Sequence, residues 1–385
     1  MAKTVIVRYG EIALKSEPVR RRFERRLIEN IKLSLKGFDY KLRRERGRIF
    51  TDTCRPSAVM GHLAKTPGIV SLSPSFRTNA TIDSIISAVV REAKKILSPG
   101  MTFAIRTSRV GEHSFSSRDV NVGAGSAVLA EVKGVRVNLS TPKCKIFVEV
   151  RGKDAYVFTK IVDGVGGLPV GTQGSVVALF SGSLNGSVSS YITMKRGCML
   201  HPTFFDHRPH ADSRARKYAV GAAKKLAGFY PKLELRIFPY GKIFRAITEE
   251  MAQGLENLLC KRAMVRAAGV IAGQLGGAAV VGDEDLEQIA KGGIESLRVI
   301  DDACELPVLR PLAGMVKEDI EKIANRMGIF DPSAHTANMY HSLSHPTPLR
   351  LEEVCEIEEG LNINALIEAA PPRIKIIKLR RSAWT

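Results

Sequence analysis

The chain has 385 residues, 44% apolar and 25% charged, with 33 glycines and 18 prolines spread along it. That mixture excludes a disordered, collagen-like or fibrous polypeptide and predicts two or three globular domains. Lysine and arginine outnumber aspartate and glutamate by 58 to 39, a formal net charge of +19, which favours a polyanionic partner, nucleic acid first, because a positive field concentrates phosphates.

In chain order, Thr4 to Tyr9 reads as a strand, and Pro18 opens a helix on which Val19, Phe23, Leu27, Ile31 and Leu35 recur every four positions. The same helix carries Arg20, Arg21, Arg22, Arg25 and Arg26. Short strands at 40–42 and 48–51 flank the basic turn RRERGR; a helix at 57–64 and a strand at 69–72 complete a small α+β unit ending near residue 75. Residues 1–60 hold 16 Lys/Arg against 7 Asp/Glu, so the charge concentrates here. A second α+β unit follows: a helix at 82–96, the strand TFAIRT, a helix after Ser117, and the strands CKIFVEV and DAYVFTK. It ends in GVGGLPVGTQG, where five glycines around one proline disfavour helix or strand.

Beyond that point apolar strands at 175–180, 198–205, 233–238 and 278–281 alternate with helices, the pattern of a doubly wound parallel sheet. Such a sheet binds ligands at the C-terminal ends of its strands, which directs attention to the turn Leu179, Phe180, Ser181, Gly182, Ser183, Leu184, Asn185, Gly186, Ser187. Its small residues before a helix N-terminus suit a phosphate, although the turn is neither a GK[ST] phosphate loop nor a GxGxxG fingerprint. The six cysteines lie at least 44 residues apart, and the eight histidines form no HExxH pattern, although His335, His341 and His345 share one segment. No metal site is therefore expected. With no secretory leader and no apolar run near the roughly 18 to 20 residues that span a bilayer, a cytoplasmic protein without a membrane partner is expected.

Several segments together resemble the ATP-dependent tRNA sulfurtransferases, or tRNA 4-thiouridine synthetases, of the thiamine-biosynthesis ThiI family. They are YGEIALKSEPVRRRFERRLIENI, NLSTPKCKIFVEV, FTKIVDGVGGLPVGTQG, YITMKRGC, RVIDDACELPVLRPLAGMVKEDIEKIANRMGIFD and HPTPLRLEEV, in the family's order over almost the whole chain. The resemblance implies a ferredoxin-like domain at 1–75, a THUMP RNA-binding domain at 76–168, and at 169–385 an adenine nucleotide hydrolase-like (PP-loop) pyrophosphatase domain with a basic tail. It implies ATP and Mg²⁺ as cofactors and tRNA as partner. A cysteine desulfurase or other sulfur donor and a second copy of the chain are further partners it implies. In the family, ATP adenylates a uridine and persulfide sulfur then replaces the activated oxygen.

Carried onto this sequence, the resemblance places ATP at Leu179, Phe180, Ser181, Gly182, Ser183, Gly186, Ser187, Phe204, Phe205, Arg262, Gly282, Gln288 and Gly292. It places RNA at Arg20, Arg21, Arg22, Arg25, Arg26, Arg106, Arg109 and Arg118. The family's SGGxDS loop departs here: Ser181 and Gly182 remain, but Ser183, Asn185 and Gly186 replace glycine, aspartate and serine. Catalysis is thus assigned to Ser181 and the altered position Asn185. Ala337 and Asn338 stand where the family has thiols, and neither can carry a persulfide. Three readings remain open: an active sulfurtransferase, a catalytically impaired tRNA-binding paralogue, and an adenylating enzyme with a different acceptor. Asn185→Asp is expected to be structurally mild, since the two residues share size and turn preference.

Overall fold

The computed structural model describes residues 3–45, 47–210, 213–250, 254–329 and 350–379. By contacts the chain forms two compact units. The first comprises Met1–Leu14, Leu35–Lys65 and Ile69–Gly166; the second comprises Lys15–Ser34, Thr66–Gly68 and Gly167–Thr385.

In chain order the N-terminal half contains β1 (Lys3–Arg8), α1 (Glu17–Ser34), β2 (Lys41–Glu45), β3 (Arg48–Thr53), α2 (Pro56–Leu63), β4 (Ser71–Asn79), α3 (Ile82–Ile96), β5 (Thr102–Val110), α4 (Ser117–Glu131), β6 (Arg136–Val137), β7 (Cys144–Arg151), β8 (Asp154–Phe158) and β9 (Val162–Asp163). All its strands join one sheet in the order β2-β3-β1-β4-β8-β7-β5-β6, with β9 also on β4. Residue 75, the expected junction, lies inside β4, which pairs with β1 through Ser71–Ser75 and with β8 through Phe76–Asn79. Helices α3 and α4 have side-chain caps, Thr81 accepting from the Ser84 N–H and Ser116 sharing a capping box with Asp119. Their apolar faces bury Ile85, Val89, Val120 and Val128 with Phe103, Ile146 and Val148. A second small core holds Ile6, Phe50, Tyr156 and Phe158, where the Phe50 and Tyr156 rings stack at 4.5 Å.

The second unit adds β10 (Ser175–Leu179), α5 (Leu184–Lys195), β11 (Met199–Asp206), α6 (Ser213–Leu226), β12 (Glu234–Pro239), α7 (Gly241–Glu250), α8 (Glu256–Leu275), β13 (Ala279–Val281), α9 (Leu286–Asp301), β14 (Val308–Leu309), α10 (Lys317–Met327), α11 (Leu351–Gly360), α12 (Ile363–Glu368) and β15 (Lys375–Lys378). Its sheet order is β14-β13-β10-β11-β12-β15. Every pair is parallel except β12 with β15. Part of the expected basic tail is therefore an edge strand, and residues 380–385 lie outside the described residues. Val177, Leu179, Phe205 and Phe238 pack with Leu259, Ala263 and Ala267 of α8 in the main core.

Helix α1 buries Phe23, Leu27 and Ile31 of its predicted stripe, and it belongs to this second unit. There Arg26 Nε and Asn30 Nδ2 donate to the Val170 carbonyl at 2.9 and 3.1 Å. The glycine-rich segment is anchored too: Leu168 N–H donates to Lys195 O, and the amides of Gly171 and Thr172 donate to Gly197 O.

Candidate functional site

The turn between β10 and α5 places small residues at the C-terminal edge of the parallel sheet. Gly182 has φ +81°, and a Cβ there would lie 2.5 Å from Ala219 Cα, so only glycine lets the backbone of α6 rest against the turn. Ser183 is the N-cap of α5: its Oγ accepts from the Gly186 N–H at 3.1 Å and from the Ser181 hydroxyl at 2.9 Å. The first-turn amides of Leu184 and Asn185 have no partner within an α-helix, the usual condition for binding an anion. Ser189 Oγ donates to Gly282 O at 2.6 Å, which draws the end of β13 beside the loop.

Directly after Gly282 come three carboxylates. Asn185 Nδ2 donates to Asp285 Oδ2 at 2.9 Å. Asp285 also caps α9 through the Gln288 N–H, and Gln288 returns the bond to the Asp285 N–H. Lys261 pairs with Glu284 at 2.8 Å and with Asp283 at 3.3 Å, while Arg310 reaches Glu284 at 3.5 Å and Asp301 at 2.5 Å. Burial alone would lower the Lys261 ammonium, yet Glu284 and Asp283 more than offset it and raise its pKa. Burial works in the opposite sense on Glu284, where Lys261 and Arg310 bring the acid below its ordinary value. These are charged, mutually neutralising groups. A Cβ on Gly186 would stand 3.4 Å from Asp283 Oδ2 and from the hydroxyls of Ser181 and Ser183.

Hydroxyls and first-turn amides fit phosphate oxygens. The same surroundings do not fit a protein-held Mg²⁺: Asp283 is paired with Lys261 and Asp285 with Asn185. Among the described residues no group of three or more His, Cys, Asp or Glu could hold a metal ion.

Other expected nucleotide residues are placed differently. Leu179, Phe180, Phe204 and Phe205 are buried, and Leu179 and Phe205 belong to the α8 core. Arg262 is wholly buried, its Nε and Nη2 each 2.9 Å from Glu358 and its Nη1 bonded to Val299 O. It is a packing ion pair between α8 and α11 rather than an open phosphate contact. Gly292 precedes the kink in α9 at Gly293, φ +71°. Ala337 and Asn338, with His335, His341 and His345, lie outside the described residues. All six cysteines are free thiols. Burial pushes Cys260 up to about 12 and raises Cys198, away from the thiolate that sulfur chemistry uses. Lys261, Asp283 and Asp285 went unassigned by sequence; the run DED after a glycine is the signal they leave.

Of the basic residues on α1, Arg21, Arg22 and Arg25 are exposed and line an open cleft with Glu17. Arg20 pairs with Glu17 and Glu24, and Arg26 lies against Gly171 with its Nη1 on Glu29 at 3.1 Å. In the first unit Arg106 donates to the Leu139 carbonyl, Arg109 to Gly111 O, and Arg118 lies exposed in the first turn of α4.

Known proteins resemble this chain. The thiamine biosynthesis protein (ThiI) family model matches residues 171–363, the ThiI ferredoxin-like domain matches 4–73, and the THUMP domain matches 79–160. The "Probable tRNA sulfurtransferase" of Methanothermobacter thermautotrophicus is 34% identical over 368 residues, covering 93% of this chain and 94% of that protein. That of Methanosarcina acetivorans is 36% identical, covering 97% and 93%. A 4-thiouridine synthetase solved with RNA and bound ATP superposes with a TM-score of 0.86 at 25% identity, over 98% of this chain and 99% of the other.

Proposed function

The chain belongs to the ThiI family, with ferredoxin-like, THUMP and mixed α/β PP-loop domains, and on that premise we propose that it binds tRNA and ATP and carries out the uridine-activating step of 4-thiouridine formation. The observation that carries this reading is the turn at Ser181–Ser187, where Gly182 is pressed onto α6 and Ser183 caps α5, leaving first-turn amides for phosphate. Ser181 and Ser183 would orient the triphosphate, and the charges of Lys261 and Arg310 hold the adjacent acidic strand end in place. The uridine oxygen would attack the α-phosphorus of ATP, releasing pyrophosphate and leaving the oxygen adenylated, so that it departs as AMP when sulfur replaces it. Mg²⁺, when present, would be held mainly by phosphate oxygens and water, as is usual for this ion.

Ala337 and Asn338 bring no sulfur, so the transfer step draws on a sulfur donor supplied by another protein, a desulfurase in the family's chemistry. Relatives covered over more than nine-tenths of their length carry the sulfurtransferase name, which supports the complete activity. A tRNA-binding protein without turnover is the second reading, favoured by the amide of Asn185 bonded to Asp285 where a carboxylate would face the phosphates. The experiment is release of pyrophosphate from ATP with and without tRNA, followed by AMP release and nucleoside mass spectrometry after adding a persulfide source. RNA-dependent pyrophosphate release, with AMP following once persulfide is added, supports the first reading; tRNA binding with no pyrophosphate supports the second. Sedimentation of the full chain with and without tRNA tests whether it forms a homodimer.

A further inference from the structure

One turn of α6 away from the loop lies a second feature. Ala219 of α6 backs Gly182, and Arg216, three residues earlier, lines a cleft of about 850 Å³ at the C-terminal ends of β11 and β12. Ile237, Ile243, Ala246 and Leu366 give this cleft an apolar floor. Around it stand Arg208, Arg216, Lys242, Arg245, Arg373 and Lys375, six cations against the carboxylates of Asp206 and Glu249. The antiparallel course of β15 brings Lys375 opposite Ile237 and so carries two of these cations to the edge where β11 and β12 end.

The cluster is organised at its base. Arg208 Nε donates to Asp206 Oδ1 at 2.9 Å and its Nη2 to Oδ2 at 2.6 Å, while Arg216 lies 3.7 Å from Oδ2. Burial would raise the Asp206 acid, but Arg208 and Arg216 more than offset it and keep it ionised. Arg245 pairs with Glu249 on the surface of α7. Lys242, Arg373 and Lys375 are exposed and have no ion pair among the described residues. An apolar floor beside three unpaired cations matches a nucleoside whose base is desolvated and whose neighbouring phosphates stay at the rim.

We infer that this cleft receives the RNA nucleotide to be modified, extruded from its stack, with its flanking phosphates on Lys242, Arg373 and Lys375. Chemistry on a base generally requires such extrusion, and the shared helix α6 sets the cleft beside the phosphate loop. The inference rests on the proposed function.

The test uses the full chain with Lys242, Arg373 and Lys375 changed together to Gln, alongside a control of equal charge change, Lys291, Lys317 and Lys322 to Gln. At ~0.1 M salt the cleft variant should bind tRNA roughly tenfold more weakly, with a log K against log salt slope shallower by about 2. Calorimetry should show ATP affinity unchanged in the same sample. Affinity and slope equal to those of the control overturn the cleft while leaving tRNA binding intact. Loss of ATP or inorganic phosphate binding with unaltered tRNA affinity also overturns it, in favour of a small phosphorylated ligand. A starting protein that binds no tRNA removes the functional premise itself, a distinguishable result. Changing Ala246 to Phe on the apolar floor provides a second variant without charge change, expected to reduce RNA-dependent pyrophosphate release at least tenfold in the folded protein.

Discussion

The amide of Asn185 and the carboxylate of Asp285 meet at 2.9 Å, so the expectation that Asn185→Asp is mild fails on geometry. Two carboxylates at that distance repel until one takes a proton. The single variant should lose about 1–3 kcal/mol at pH 7 by denaturant titration and regain part of it near pH 4. Exchanging both residues, Asn185→Asp with Asp285→Asn, restores a donor and acceptor and keeps a competent helix cap, so the double variant should return most of the loss. A single variant as stable as the parent at pH 7 would remove this contact from the account. Arg262 gives the second test at this scale. Its buried ion pair with Glu358 means that Arg262→Met should cost about 3–5 kcal/mol, and the folded fraction should keep its ATP affinity. Unchanged stability with weaker ATP binding would return Arg262 to the phosphate site. The sequence showed a basic residue at the right spacing, but its partner is 96 residues away in α11, beyond the reach of any local pattern.

Among elements, the sheet of the second unit contains a polar line across three neighbouring strands. Arg236 of β12 donates to His201 Nδ1 at 3.0 Å, and arginine accepts nothing, so the other ring nitrogen, Nε2, is left to donate to Ser175 Oγ at 2.7 Å. Burial, reinforced by the Arg236 charge, moves the imidazole from 6.5 down to about 4. Its folded pKa lies below the unfolded one, so its contribution is present above about pH 6.5 and declines as pH falls toward 4, by at most about 3 kcal/mol. Urea midpoints at pH 7 and 4.5 should differ less in His201→Gln than in the parent; equal differences would assign the acid sensitivity elsewhere, for example to half-buried His207, which is also lowered to about 4. Helix α1, helix α3 and the strand opening the phosphate turn were legible because periodicity and turn residues agree there. Strand β4 was read as ending near Leu72, since Pro74 and three serines disguise a paired strand that continues to Asn79. Strand β15 is KIIK inside a basic stretch and is mostly exposed at the sheet edge, so no buried face marks it.

For the molecule as a whole, the +19 charge is divided between units that can be probed separately. Changing the exposed Arg21, Arg22 and Arg25 of α1 to Ala should weaken binding to all tRNA sequences and flatten the salt slope by about 2–3. Changing Arg106, Arg109 and Arg118 probes the THUMP-bearing unit, and unchanged salt slopes in both sets would move the RNA surface elsewhere. No helix among the described residues is long and apolar enough to cross a membrane. The position of α1 has a consequence for biogenesis. Val170, which takes the Arg26 and Asn30 bonds, is 144 residues after Arg26. At roughly 5–20 residues per second on the ribosome, Arg26 and Asn30 wait on the order of ten seconds for this acceptor. A fragment cut at Gly166/Gly167 strands that helix on the wrong piece, so recombinant halves should aggregate, and nascent chains shorter than about Val170 should be the ones that engage chaperones.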